Sequence, residues 1–174
     1  MPAVDAALAR LVAESEIRDA LARYARGADR NDIALIRSAY HADATDSHGY
    51  FSGTIDGFVE WFRERHATVT QSMHFLGNCL VEFDGDESAF VETYCRAYQR
   101  LRDPAAPGTL QDLHVLCRYL DRFERREGRW AIAARTVVYE TQEVRQVADD
   151  DPFPAGFAVQ AHGPADPLYV QRHT

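Results

Sequence analysis

The hydrophobic pattern changes period once along this chain, dividing it into a helical first part and a stranded second part. From about Val4 to Ala28 the sequence is rich in Ala, Leu, Arg and Glu, with no Pro and no Gly until Gly27, which predicts helix. Ser15-Glu16 offers a second helix start after a break near Glu14. Ile17, Leu21, Ala25 and Asp29 form an i, i+4 row with Tyr24 and Ala28 beside it, so this face should pack inward and carry Asp29 at its far end. Asp32 suits an N-cap for a short helix through Ile33, Ile36 and Tyr40. His41 to Phe51 reads as a flexible polar connection and Gly53 to Gly57 as loop. Ile55 to Val69 reads as helix, with Phe58, Val59, Phe62 and Val69 on or near one stripe.

After Val69 the period is two. Runs at Met73–Phe83, Ala89–Leu101, Leu113–Arg125 and Trp130–Glu143 predict four strands, joined by Asp84-Gly85-Asp86, by a Pro/Gly loop from Asp103 to Thr109, and by the tight turn Arg126-Glu127-Gly128. Helices followed by an antiparallel meander predict an α+β domain, a cone in which N-terminal helices cover a curved sheet. In the first strand His74, Leu76, Asn78 and Leu80 share one face, and Phe75, Gly77, Cys79, Val81 and Phe83 the other. Both faces are largely apolar, so neither should meet open water. Residues 1–145 should form the domain. Residues 146–174 form an acidic, Pro-rich extension (Asp149-Asp150-Asp151-Pro152) whose Phe153, Phe157, Leu168, Tyr169 and Val170 favour docking over full disorder.

Composition changes this picture little. A net charge of -8 argues against nucleic-acid binding, which needs a basic face. All 19 basic side chains are Arg, which removes Schiff-base and lysine-base chemistry. No apolar run is long enough for a bilayer, and the acidic N-terminus lacks signal-peptide character, so a cytoplasmic protein without membrane attachment is expected. Cys79, Cys95 and Cys117 lie in apolar runs without metal-type spacing and read as reduced core residues. His41, Asp43, Asp46 and His48 invite a metal reading, but no second ligand pair stands at a defined spacing, and no metal site is assigned.

The chemistry-bearing candidates converge on the inward faces. A carboxylate that accepts a hydrogen bond from one imidazole nitrogen fixes the tautomer and raises the basicity of the other, so Asp29 and His74 together would make a general base near neutral pH. Alone, Asp29 reads equally well as a local cap or as a partner of Arg26 or Arg30, and His74 as a buried structural histidine. Arg135, between Ala133 and Val137 on an apolar strand, must pair inside or leave at an edge; inside, it could bind an anion or steady an oxyanion, or be a structural ion pair. Tyr24 could donate its phenolic proton or be simple core. Asn78, Tyr50, Tyr98 and His114 are further candidates for lining a substrate pocket.

The order of these features resembles the SnoaL-like branch of the nuclear-transport-factor-2-like superfamily, over roughly Leu11 to Val144. The resemblance rests on a helix with Tyr24 and Asp29, on Tyr40-His41-Ala42-Asp43-Ala44, and on a tryptophan-bearing helix. It continues with Met73-His74-Phe75-Leu76-Gly77-Asn78, Asp84-Gly85-Asp86, and Phe123-Glu124-Arg125-Arg126-Glu127-Gly128-Arg129-Trp130. It implies a deep apolar pocket, a homodimer or homotrimer, and elimination without metal or organic cofactor. Scytalone dehydratase, bile-acid 7α-dehydratase and lindane dehydrochlorinase are the functional models. Their Asp–His dyad corresponds to Asp29 and His74. The last-strand arginine of the second and third corresponds to Arg135, and the tyrosine of the bile-acid enzyme to Tyr24. The dehydrochlorinase lysine has no counterpart, which disfavours dehydrochlorination, and the acidic tail has none either. The implied function is a cofactor-independent dehydratase-type lyase acting on a small, apolar, cyclic or aromatic substrate. A ketosteroid-type isomerase and a non-catalytic ligand-binding protein, or small subunit of a ring-hydroxylating dioxygenase, are the alternatives.

Overall fold

One continuous helix, α1 (Pro2–Arg30), organises the chain. The computed structural model describes residues 2–103, 105–106, 108–148 and 153–172, without the side chains of residues 2 and 3. The expected break near Glu14 is absent, because nothing at Glu14-Ser15 interrupts the i→i−4 ladder. Ala13, Ile17, Ala20, Leu21, Tyr24 and Ala28 form its buried stripe, whereas Val4, Leu8, Leu11 and Val12 are exposed. Asn31 then takes a left-handed conformation (φ 55°), and Asp32 N–H bonds back to Gly27 O at 2.8 Å, ending the helix. Asp32 caps α2 (Ile33–Ser38) by accepting from Leu35 N–H at 3.0 Å.

Tyr40 begins strand β1 (Tyr40–Ser47) rather than ending α2. The stretch expected to be a flexible polar connection is thus mostly strand, because β1 pairs in parallel with the last strand of the sheet and its polar side chains find partners. His41 Nε2–H donates to Glu124 O at 2.9 Å, and Asp43 pairs with Arg126 at 2.6 Å. A short β2 (Ser52–Thr54) follows, then α3 (Ile55–His66), capped by Thr54. The rest is a meander: β3 (Val69–Phe83), β4 (Ser88–Arg102), β5 (Thr109–Arg126) and β6 (Arg129–Ala148). The sheet order is β2-β1-β6-β5-β4-β3, antiparallel except for β1 with β6. The architecture is α+β, with helices packed over a six-stranded, mostly antiparallel sheet.

The register of β3 corrects the simple alternation. Leu76 faces Cys95 but Cys79 faces Thr93, so β3 carries one extra residue at Gly77-Asn78, a β-bulge. Before it, Ser72, His74 and Leu76 point inward with Gln99, Ala97 and Cys95; after it, Cys79, Val81 and Phe83 do. The other face is open in this chain, with Met73, Phe75 and Leu80 61%, 68% and 59% exposed.

After β6 the chain returns to the end of α1. Gln160 acts as a clamp: its Nε2 donates to Asp29 O and Ser72 O, both at 2.8 Å, and its Oε1 accepts from Ser72 N–H at 3.3 Å. These bonds occupy main-chain groups on the free edge of β3. Asp166 pairs with Arg30 at 3.2 Å, and Tyr169 OH donates to Asp32 Oδ2 at 2.8 Å. A short helix, α4 (Pro167–Gln171), closes this segment. The acidic run 149–152 and the loop prolines 104 and 107 lie outside the described residues. No helix among the described residues is long and apolar enough to cross a membrane.

Gly27 is where α1 and α2 meet, and a Cβ there would lie 2.7 Å from Ile36 N. Gly27→Ala is therefore expected to destabilise the fold by about 1–3 kcal/mol. That corresponds to a melting temperature lower by several degrees on a thermal scan.

Candidate active site

Asp29 is a carboxylate at the carboxyl-terminal end of a helix, where the macrodipole disfavours negative charge, and it is only 8% exposed. Three donors from β3 hold it. His74 Nδ1–H reaches Oδ1 at 2.7 Å, His74 N–H reaches Oδ2 at 3.0 Å, and Ser72 Oγ–H reaches Oδ1 at 3.1 Å. Burial alone would raise the Asp29 pKa, but the hydrogen bond and charge of His74, its backbone N–H and Ser72 outweigh it and hold the carboxyl below its ordinary value. For His74 burial pushes the imidazolium down, but the hydrogen bond to Asp29 and its charge reverse this, and the net shift is upward. With Nδ1 committed to Asp29, Nε2 is left for the cavity that His74 lines.

That cavity lies between α3 and the inward face of the sheet. Tyr24, His48 and His74 meet there with Trp61, Phe62, Arg65 and His66 of α3, and with Ala97, Gln99, Leu113, Val115, Cys117, Tyr119, Val137 and Tyr139 of the sheet; Arg65 donates to Gln99 Oε1 at 3.2 Å. Its volume of about 60 Å³ admits a few waters. Ligand pockets run to roughly 300–1,000 Å³, so a ring enters only when lining side chains give way. Tyr24 is 2% exposed and sits edge-on to His74, with ring centroids 6.4 Å apart. Burial drives its pKa up, so the phenol stays a neutral donor. His66 donates from Nδ1 to Phe62 O at 3.0 Å, and its Nε2 accepts from Gln99 at 3.2 Å. Burial pushes its pKa down to about 3, so it too is neutral.

Arg135 does not line the cavity. Its side chain is fully buried and forms a two-pronged pair with Asp121, both bonds at 2.7 Å. The guanidinium lies between the rings of Tyr24 and Tyr119, 4.2 and 4.1 Å from their centroids. Of the two uses the sequence left open, this geometry is the structural ion pair, with Asp121 as the acid. The expected pocket liners lie elsewhere. Asn78 lies in the bulge and is exposed, and Tyr50 is 93% exposed. Tyr98 and His114 are register partners on the outer face, ring centroids 5.2 Å apart, while their neighbours Ala97, Gln99, Leu113 and Val115 face inward. Parity along β4 and β5 decides this, and those apolar neighbours carried the signal.

His48 is the cavity residue that sequence reasoning missed. It stood in the polar stretch considered for a metal, but its Nδ1–H donates to Asp46 Oδ1 at 3.1 Å. Asp46, 1% exposed, also accepts from Tyr40 OH at 2.7 Å. The stretch is thereby split, with His41 and Asp43 engaged by Glu124 and Arg126 and the Asp46–His48 pair turned inward.

A SnoaL-like domain profile matches residues 9–136. The chain belongs to the SnoaL-like family. No curated protein matches it at a significant level. A protein of Novosphingobium aromaticivorans DSM 12444 provisionally named a scytalone dehydratase is similar over 87% of this chain and 98% of its own, with TM-score 0.69 and 19% identity. Hexachlorocyclohexane dehydrochlorinase LinA type 2 is similar over 86% and 99%, with TM-score 0.72 and 18% identity. LinA-type3 from Novosphingobium barchaimii LL02 is similar over 84% and 98%, with TM-score 0.71 and 17% identity. At these identities the likeness is one of fold, that of the nuclear-transport-factor-2-like superfamily.

Two outcomes follow for this site. Because the His74 pKa is raised above its ordinary 6.5, the Asp29–His74 pair stabilises the fold fully below that value and loses this contribution as pH rises through the raised one. Asp29, lowered from 3.8, contributes above that value and loses its contribution as pH falls through the depressed one. Asp29→Asn removes the charge and leaves burial to act, so the His74 titration midpoint should fall when its Cε1 proton is followed by NMR; an unchanged midpoint would separate the two residues. Arg135→Ala strands Asp121 as a buried, unpaired charge and should cost about 3–5 kcal/mol, read from denaturant unfolding.

Proposed function

We propose that the protein is a cofactor-independent lyase that eliminates water from a small, largely apolar cyclic substrate carrying an activating carbonyl. The observation that carries this reading is the 2.7 Å bond from His74 Nδ1 to Asp29, on a ring that lines an enclosed cavity of mixed polar and apolar side chains. The bond leaves Nε2 of neutral His74 as a lone-pair acceptor, the form a general base requires. Base and hydroxyl-bearing carbon would be held together away from bulk water, where Tyr24, kept neutral by burial, can donate to the substrate carbonyl as negative charge develops. Arg135 keeps Tyr24 in place through its ring face and does not itself contact substrate. The relatives lend support by name: the dehydrochlorinases eliminate chloride, and the third is provisionally named a dehydratase. A non-catalytic binding module needs no such dyad. An isomerase would use the same base without changing product mass.

The test is conversion of 3-hydroxycyclohexanone to the enone, followed by ultraviolet absorbance and by a product mass lower by one water. His74→Gln should lower the rate about 10²–10⁴-fold in a protein that still folds, with a melting temperature reduced by the loss of the ring bond to Asp29. A folded His74→Gln protein with undiminished turnover would overturn the mechanism.

A further inference from the structure

We infer that His48, held by Asp46, is a second proton-transfer group of the same cavity, which protonates the departing hydroxyl while His74 takes the carbon-bound proton. The inference rests on the elimination reading above.

Placement comes first. His74 is on β3, at one edge of the sheet, and His48 directly follows β1, near the other edge. Both rings line one cavity, with Ala97 of β4, Val115 of β5 and Val137 of β6 on the strands between. They therefore approach a bound molecule from different walls, an arrangement that lets an acid and a base act on neighbouring atoms without blocking one another.

Tethering is the second feature. Each imidazole gives Nδ1–H to a buried carboxylate, Asp29 or Asp46, and so leaves Nε2 to the cavity. His48 is fixed further by Phe58 and Trp61, ring centroids 5.4 and 5.8 Å away. A histidine used only as filler needs no buried carboxylate to orient it.

The two carboxylates differ in their partners. Asp29 is satisfied by three donors, two of them the Ser72 hydroxyl and a backbone N–H, so it tolerates a neutral His74. Asp46 accepts from Tyr40 OH and His48, and it lies in register with Arg135, whose Nε and Nη2 donate to Asp121. With His74 assigned to the carbon-bound proton, His48 is the second tethered imidazole of the cavity, placed on another wall to serve the departing hydroxyl.

The step balances. His74 Nε2 takes the proton on the carbon next to the carbonyl, and that C–H electron pair becomes the new C=C bond. The C–O bond breaks toward oxygen, which takes the Nε2 proton of His48 and leaves as water. His74 ends as imidazolium against Asp29 and His48 ends neutral. Exchange with solvent deprotonates the first and reprotonates the second.

The test compares two leaving groups in the full-length protein: 3-hydroxycyclohexanone, whose hydroxyl needs a proton to depart, and 3-acetoxycyclohexanone, whose acetate leaves as an anion. His48→Gln should slow water loss about 10²-fold more than acetate loss. Asp46→Asn should change the ratio of the two rates in the same direction, and it carries the test if His48→Gln does not fold. His74→Gln should slow both reactions alike. A ratio of rates unchanged in folded His48→Gln or Asp46→Asn would overturn the assignment of His48 while leaving the base in place. Undiminished rates in His74→Gln, or a parent protein inert toward both compounds, would overturn the elimination reading and this inference with it.

Discussion

The carboxylate of Asp29 sits where a helix least favours one, at the negative end of α1 and almost out of water. It is held there by Ser72 and His74, so the last turn of α1 and the first half of β3 cannot move independently. The geometry of His74 follows from this, since both its backbone N–H and its ring are committed to the same carboxylate. The close approach of α1 and α2 at Gly27 and the turn through Asn31 place Asp29 at the right height. Removing the carboxylate would leave the histidine in the same cavity with neither orientation nor added basicity.

A second buried charge system supports the first from beneath. Arg135 gives Nε and Nη2 to the Asp121 carboxylate on the adjacent strand, and the guanidinium presents its faces to Tyr24 and Tyr119. Cation–π contacts of this kind add about 2 kcal/mol or more when desolvated. Their larger effect here is positional. The ring of Tyr24 is fixed between the cation and His74, so two aromatic groups of the cavity are set by an ion pair that substrate does not touch.

Much of this was legible in the sequence because it depends on periodicity and short-range chemistry. The inward row of α1 ends at Asp29, the strands after Val69 alternate, and Asp32 caps α2. What was not legible depends on register. The extra residue at Gly77-Asn78 sends Asn78 outward, and nothing local marks it except a glycine. Tyr98 and His114 belong to the outer face because their apolar neighbours take the inner one. Arg135 seemed free to meet an anion because its partner, Asp121, is adjacent only across the β5–β6 pairing. His48 was hidden for the converse reason: a parallel pairing between β1 and β6 turned an apparent loop into a strand and placed the residue just after it at the cavity. Parallel partners distant in sequence leave no local signature.

The Gln160 clamp carries a consequence for how this protein is made. Its bond to the Asp29 carbonyl joins positions 131 residues apart, while the Asp29–His74 pair spans 45. Contacts of such separation carry a larger loop-closure entropy than those within α1 or between neighbouring strands, and form after them. The helix and the meander can thus assemble before the carboxyl-terminal segment returns to the edge of β3. The dyad acquires this constraint only once the chain has emerged past Gln160, so its full rigidity records that the segment after β6 has docked.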